Sequence, residues 1–154
     1  MAKAIPDDVR GIIPHLVVGD GARAIEFYKV AFGAEEVSRM PAPDGRLLHA
    51  MLRIGDACVY LCDDFPEMCG GMSRDPQKLG ASPVVIHRYV EDCDAAVKRA
   101  ADAGATVTMA PEDMFWGDRF GTVQDPFGHT WSFATHVRDL TPEEIMEAGR
   151  AAFG

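Results

Sequence analysis

The chain contains two copies of one sequence pattern, and this duplication constrains its fold more than any other feature. Residues 14–22 resemble residues 86–94, and His87 follows His15 by 72 residues. A repeated unit of this size is too small to bury a core alone, so it must pack against its copy. The seam between two such copies is where a ligand cavity is expected.

Hydrophobic periodicity predicts the order βαβββ for the first copy. Residues 12–18 are apolar and rich in branched side chains, which predicts a strand buried on both faces. Asp20 is a helix cap, the following apolar residues recur every three or four positions, and Gly33 ends the helix. Three further strands are predicted over residues 34–40, 47–54 and 57–62.

The second copy repeats this order at the same offset. Asp92 lies 72 residues after Asp20 and is expected to cap a helix that runs to residue 103. The offset also relates the turn at 53–56 to the turn at 125–128, so the two hairpins are expected to correspond. Strands are predicted over residues 84–90, 106–109, 120–124 and 130–135.

These elements place the chain in the α+β class. With 154 residues it is long enough for one compact domain and short for two independent ones. We therefore expect a single domain, residues 1–154, in which both modules share a core. Its parts are a first module at 11–64, a Gly-, Pro- and Met-rich linker loop at 65–82, a second module at 83–138, and a segment at 139–154 whose capping box predicts a C-terminal helix over 142–152.

Composition excludes several classes of function. The formal net charge is -9 and no basic run offsets it, so nucleic acid is not an expected partner. No apolar stretch reaches the roughly 18 to 20 residues that a membrane helix needs, and the first residues lack a signal-peptide pattern. The four cysteines do not have zinc-ribbon or thioredoxin spacing. We expect a cytoplasmic protein with no membrane partner.

The helix pair Phe27-Tyr28 and the Asp-Pro-Phe-Gly-His-Thr-Trp motif of residues 125–131 resemble the vicinal oxygen chelate superfamily. That superfamily includes glyoxalase I, bleomycin-resistance proteins and extradiol dioxygenases. Residues 115–121 and 134–136 are similar to its phosphonate-operon-type, glyoxalase-like branch. The resemblance covers about residues 11–138 and implies two tandem βαβββ modules that form paired half-barrels around a cavity, often in a homodimer.

The resemblance also identifies the positions where metal-using members place their ligands. These positions correspond to Ile13 and Val85 on the first strands, and to Tyr60 and Ser132 on the last strands. Two aliphatic side chains cannot bind a metal, and neutral hydroxyls are poor substitutes for a carboxylate on a divalent ion. We therefore expect no metal at the usual site and no cofactor, with a divalent metal at a shifted site as the alternative.

Strand alternation predicts a polar lining for the expected cavity. His15 and His87 lie two residues beyond the aliphatic positions, so they return to the same face of their strands. By the same parity Tyr60, Ser132 and Tyr89 share that face. We predict the two histidines as acid–base catalysts or ligand contacts near neutral pH, and the other three as ligand-binding residues; metal ligation by the histidines and a structural role stay open.

Three residues near the cavity mouth complete the predicted site. Trp116 belongs to a loop where aromatic rings commonly hold flat ligands, although a hydrophobic plug is equally compatible. Arg119 is able to hold a carboxylate or phosphate, or to pair with Asp118 or neighbouring loops. Gln124 precedes the turn and, by the resemblance, faces the cavity. His129 is expected to be structural.

The predicted function is that of a glyoxalase- or bleomycin-resistance-like protein that binds an unidentified small molecule between its modules. Whether it is an enzyme stays open at this point. The alternatives are a metal-dependent lyase, isomerase or dioxygenase with a shifted ligand set, and a protein that sequesters a drug.

Overall fold

The structure, a computed structural model, describes residues 2–154 and has an α+β fold with two βαβββ modules. The first module contains β1 (His15–Val18), α1 (Gly21–Phe32), β2 (Glu35–Pro41), β3 (Leu47–Ile54) and β4 (Ala57–Asp63). A 3₁₀ turn (Pro66–Met68) and the short helix α2 (Pro76–Leu79) follow. The second module contains β5 (Val85–Tyr89), α3 (Cys93–Ala103), β6 (Thr106–Asp113), β7 (Asp118–Gln124) and β8 (Thr130–His136), before the C-terminal helix α4 (Pro142–Phe153).

Both modules have the same sheet topology. The strand orders are β1-β4-β3-β2 and β5-β8-β7-β6, and in each sheet the first strand is parallel to the last. The contacts between residues divide the chain into two compact units that meet in sequence at Ala81 and Ser82. The two-module prediction is confirmed, whereas the expectation of a single domain stays a prediction.

Both main helices start in the same way. Asp20 caps α1 by accepting from the backbone N–H of Arg23, and Asp92 caps α3 by accepting from Ala95. The last strand of each module supplies a second acceptor. Asp63 accepts from Gly21 at 2.7 Å in the first unit, and the Thr135 hydroxyl accepts from Cys93 at 2.9 Å in the second.

Each core lies between one sheet and its helix. In the first unit Leu16, Val18 and Leu61 are buried on the same side as Ile25 and Tyr28 of α1. In the second unit the buried set is Val97, Ala100, Val123, Trp131 and Phe133. Trp131 and Phe133 alternate with Ser132 along β8, and both are buried on the helix side of the sheet. The opposite side of each sheet, called here its open face, carries the predicted site residues.

The first strand is shorter than predicted, and the prediction that it is buried on both faces is wrong. It begins at His15, and Ile12 is 99% exposed. The physical reason is Pro14, which lacks an N–H and contributes only its carbonyl, accepting from Tyr60 at 2.9 Å. From His15 onward β1 pairs regularly with β4, and only its helix-facing side chains are buried.

Strand β6 is longer than predicted and includes Pro111, which lies beyond the predicted end at residue 109. An edge strand tolerates proline because one side of its backbone needs no partner. The register between β6 and β7 shifts between Met109 and Glu112, so the proline lies in an irregular part of the ladder. The predicted linker loop also has structure, since Asp64 accepts from the Ser73 hydroxyl at 2.6 Å and from Lys78 at 3.1 Å.

The two hairpins do not correspond as expected. Ile54 pairs with Ala57 across a two-residue turn, whereas Gln124 pairs with Thr130 across five residues. In the longer turn Asp125 accepts from the N–H groups of Phe127 and His129, and from the Trp131 indole at 2.9 Å. Because the turns differ in length, the 72-residue offset that relates β4 to β8 does not relate β3 to β7.

Candidate functional site

The open face of the first sheet carries a cluster of three rings. His15 lies directly beside Tyr60 in the parallel ladder, with ring centroids 6.0 Å apart. His49 on β3 completes the cluster, 6.1 Å from the ring of His15 and 4.6 Å from that of Tyr60. All three ring pairs are nearly perpendicular, with interplanar angles of 82° to 88°.

The side-chain polar atoms of this cluster have no hydrogen-bond partner within residues 2–154. His49 and Tyr60 are half-buried and His15 is exposed, so all three can be reached from solvent. The pKa of His15 is lowered, first because its ring is partly desolvated and second because His49 lies close by. The proximity of His49 thus disfavours the charged form of His15.

The open face of the second sheet carries a related but different cluster. His87 lies beside Ser132 in the ladder, and its Nδ1 is 2.7 Å from the serine hydroxyl. Tyr89 contacts the His87 ring edge-on at 5.0 Å, and Phe120 stacks on it at 6.0 Å. The serine fixes the orientation of the imidazole and leaves Nε2 without a hydrogen-bond partner among the described residues.

Asp118 connects this cluster to the loop and to the end of β8. Its carboxylate accepts from the Tyr89 hydroxyl at 2.7 Å and from the Trp116 indole at 3.2 Å. The other oxygen lies 2.9 Å from Nδ1 of His136, whose Nε2 is 2.8 Å from Asp139. Asp118 is only 4% exposed, so it is a buried acceptor for three donors that reach the surface.

In this network Asp118 and His136 stabilise each other's charged form. Desolvation opposes the ionisation of Asp118, but the hydrogen bonds from His136, Tyr89 and Trp116 outweigh it and lower the pKa of the carboxyl. The hydrogen bond to Asp118, followed by the one to Asp139, raises the pKa of His136. Donation to Asp118 is also the main reason that the pKa of Tyr89 is raised.

The structure brings together most of the predicted site residues, but within separate units. Tyr60 joins His15, whereas Ser132, Tyr89 and Trp116 join His87. Trp116 reaches its cluster through Phe120, whose ring centroid is 5.7 Å away.

Two predicted residues lie elsewhere. Arg119 is on the helix side of β7, where it forms ion pairs with Asp94 of α3 and with Asp113. Its guanidinium is therefore engaged and does not belong to the cluster on the open face. Gln124 shares the open face but lies four residues along β7 from Phe120, about 13 Å at the usual rise of a strand.

Four residues of the two clusters are absent from the predicted site: His49, Phe120, Asp118 and His136. The position of His49 beside Tyr60 depends on the length of the β3–β4 hairpin. The 72-residue offset wrongly implies that this hairpin matches the β7–β8 hairpin. Phe120 has the same place in the second sheet that His49 has in the first, because each ring contacts the histidine of the first strand. The alternation in β7, continued back to residue 118, is the signal that would have identified Asp118.

The fold and the paired open faces define a duplicated βαβββ protein, and the family comparison agrees. Residues 12–133 match the model of the Glyoxalase/Bleomycin resistance protein/Dioxygenase superfamily. The chain belongs to this superfamily. No helix in residues 2–154 is long and apolar enough to cross a membrane.

Individual relatives extend this finding. The uncharacterized protein Mb0911c of Mycobacterium bovis is 56% identical over 135 residues, which cover 88% of this chain and 89% of that protein. The crystal structure of the Arabidopsis thaliana At5g48480 product has a TM-score of 0.65 and 32% identity, covering 81% of this chain and 98% of that one. TioX from Micromonospora sp. ML1 has a TM-score of 0.59 and 25% identity, covering 82% and 100%.

The metal that the superfamily resemblance implies does not fit the residues present here. Ile13 and Val85 offer no donor atom, and Val85 is one of the exposed apolar side chains of the second unit. Tyr60 offers only a neutral phenol, which is a poor substitute for a carboxylate on a divalent ion, and Ser132 is buried against His87. Within residues 2–154 no three His, Cys, Asp or Glu side chains are grouped so that they could hold a metal ion.

Proposed function

We propose that this chain binds a small organic molecule on the open faces of its sheets, with His15 and His87 as polar contacts and with no divalent metal at the superfamily's usual positions. The observation that carries the proposal is the pairing of each histidine with the last strand of its own sheet. His15 lies beside Tyr60 and His87 beside Ser132, which are the positions of the usual last-strand ligands. The motifs at 115–121 and 134–136 also support our assignment to the phosphonate-operon-type branch.

His87 is suited to contact a ligand because one of its nitrogens is already fixed. If Ser132 donates to Nδ1, then Nε2 carries the proton and donates to the ligand; in the other tautomer Nε2 is an acceptor. In both cases the ring presents one defined polar atom. Tyr89 and Phe120 supply apolar area around it, as expected for a pocket that binds an organic ligand.

To test binding, the intact chain should be purified from cells and then treated with a chelator. Native mass spectrometry and a thermal-shift screen of small metabolites would detect a ligand, because binding to the folded state stabilises it. We expect a ligand to bind after chelation. We also expect His15→Ala and His87→Ala to weaken binding, whereas His129→Ala in the β7–β8 turn serves as the matched control.

Three outcomes separate this proposal from its alternatives. Binding or turnover that is lost on chelation and restored by a single divalent ion would refute the metal-free proposal and favour a metal-dependent lyase, isomerase or dioxygenase. Stoichiometric binding without turnover would identify a sequestering protein, and turnover without metal would identify an enzyme. Stoichiometric binding and metal-free turnover would each support ligand binding on these faces. Retained binding in both histidine variants would remove those residues from the site.

A further inference from the structure

We propose that His15, His49 and Tyr60 bind an oxyanion, either the carboxylate or the phosphate of the ligand, and that the related cluster in the second sheet is a fixed support that binds no anion. This inference rests on the proposed function, because it names the ligand class for one of the same faces. It also adds His49 as a binding residue and assigns different roles to the two halves of the duplication.

The first argument is the supply of hydrogen-bond donors. Each imidazole carries at least one N–H and the phenol carries an O–H, yet within residues 2–154 none of these side chains has a hydrogen-bond partner. An oxyanion accepts several hydrogen bonds at about 2.7–3.0 Å. Rings whose centroids lie 4.6 to 6.1 Å apart are close enough for their donors to reach one such group.

The second argument is the charge on this face. Although the chain has a formal net charge of -9, the open face of the first sheet carries His15, His49 and Arg53. Glu35 is directly opposite Arg53 at the far end of β3. Asp63 points to the helix side and accepts from backbone N–H groups. Asp64, near Cys62 at the end of β4, accepts from Ser73 and Lys78, and Asp8 contacts Cys58 through its backbone carbonyl.

Proton uptake should accompany binding. The titratable groups that share this face with His15 are Tyr60, Cys58 and Cys62 on β4, His49 and Arg53 on β3, and Glu35 on β2. Asp64 lies near Cys62, and the segment containing Asp8 contacts Cys58. Within residues 2–154, β1 pairs with β4 alone. In the free protein, desolvation and His49 together hold the pKa of His15 below its ordinary value. A bound anion favours the charged imidazoles, so it should raise this pKa and bind more tightly as the pH falls.

The second sheet differs from the first in its available hydrogen-bond donors and in the charge on its open face. His87 already has Ser132 as a partner, and Tyr89, Trp116 and His136 all direct their polar atoms to Asp118. The pKa of this carboxyl is lowered, so Asp118 stays negative at neutral pH and repels an anion. These contacts hold the second cluster in one arrangement, whereas the first cluster keeps its donors available.

The test is a titration of the intact chain with inorganic phosphate, and separately with acetate, followed by NMR of the histidine ring protons. We expect saturable shifts of His15 and His49, with affinity that rises from about pH 8 to about pH 6. His49→Gln removes a charge-assisted donor and should weaken phosphate binding about tenfold. Tyr60→Phe removes one hydroxyl and should weaken it a few-fold, whereas His129→Gln, the same kind of change in the β7–β8 turn, should have no effect.

Each result bears on the proposal. If phosphate and acetate leave both histidines unshifted, or shift His87 and His136 equally, the proposal is wrong. Saturable shifts with Zn²⁺ alone would assign the cluster to a metal instead. If the chain retains a neutral organic ligand while no anion shifts His15 or His49, the anion proposal fails and the proposed function stands. If no ligand of any kind binds, both fail. If His49→Gln does not fold, the phosphate affinity of Tyr60→Phe is the deciding measurement.

Discussion

Asp118 offers the sharpest test of the structure, because one nearly isosteric change alters three hydrogen bonds at once. In Asp118→Asn the side chain keeps one acceptor oxygen, which we expect to retain the Tyr89 and Trp116 donors. Hydrogen bonds to a charged acceptor contribute about 1.5–3 kcal/mol and those to a neutral one about 1 kcal/mol. Neutralising the acceptor of these two bonds should therefore cost about 1–4 kcal/mol of unfolding free energy.

The third bond makes this cost depend on pH. The amide NH₂ would face Nδ1 of His136, which can accept it when the imidazole is neutral but not when the imidazole is charged. In the wild-type chain the pKa of His136 is raised. The stabilisation that charged His136 contributes is complete below its ordinary pKa of about 6.5. This stabilisation is lost as the pH rises through the raised pKa of the folded state. The stability difference between wild type and variant should thus be larger at about pH 5.5 than at about pH 8.5.

The ionisation of Asp118 does not interfere in this range. Its folded-state pKa is lowered, so its own contribution is present above the ordinary value of about 3.8 and is lost only in stronger acid. Urea unfolding followed by tryptophan fluorescence is the suitable assay. Both tryptophans, Trp116 and Trp131, lie in the second unit and report on the part of the chain that contains Asp118.

Asp139→Asn is the matched control. Asp139 contacts the same imidazole through Nε2, but its side chain is fully exposed, and surface ion pairs contribute little. We expect a much smaller loss than for Asp118→Asn. The reasoning is refuted if Asp118→Asn unfolds like the wild type at both pH values, or if the difference grows as the pH rises.

Three further results are expected. Gly117→Ala should destabilise the chain strongly, because φ is +103° and a Cβ would lie 2.4 Å from a backbone oxygen. Gly45→Ala is its comparison, since φ is +91° but the surrounding space is open. By urea unfolding, Gly45→Ala should cost only about 1–2 kcal/mol. Thr141→Ala removes the α4 capping box and should reduce stability by about 1 kcal/mol, and an unchanged midpoint would contradict the cap. By NMR, His49→Gln should raise the pKa of His15, whereas a fall would contradict their coupling.

Much of the fold was accessible from sequence because the relevant signals are local. Asp20 and Asp92 cap their helices as predicted, and Gly33 adopts the left-handed conformation that ends α1, with φ of 67°. Strand alternation predicts that His15 shares a face with Tyr60 and His87 with Ser132, and the ladders place each pair side by side. These assignments need only neighbouring residues and the two-residue period of a strand.

The remaining errors concern register, which local signals do not determine. The guanidinium chemistry of Arg119 makes it a candidate ligand contact, and a strand predicted over residues 120–124 leaves it in the preceding loop. The strand starts at Asp118, and alternation then places Arg119 on the helix side. Asp118 was considered only as a partner of Arg119 or nearby loops, although its partners Tyr89 and His136 lie 29 and 18 residues away.

The difference in hairpin length also explains how one duplicated pattern supports two kinds of cluster. The 72-residue offset conserves a histidine on each first strand, but the longer second hairpin places Phe120 where the first sheet has His49. The aligned last-strand positions differ as well, since Tyr60 contributes an unpaired hydroxyl and Ser132 hydrogen-bonds to Nδ1 of His87. A ligand needs polar atoms that the protein itself leaves unpaired, and a stable face needs the opposite. Duplication allows one chain to combine them, because the first face keeps three side chains unpaired and the second fixes Nδ1 of His87 while its Nε2 stays available to a ligand.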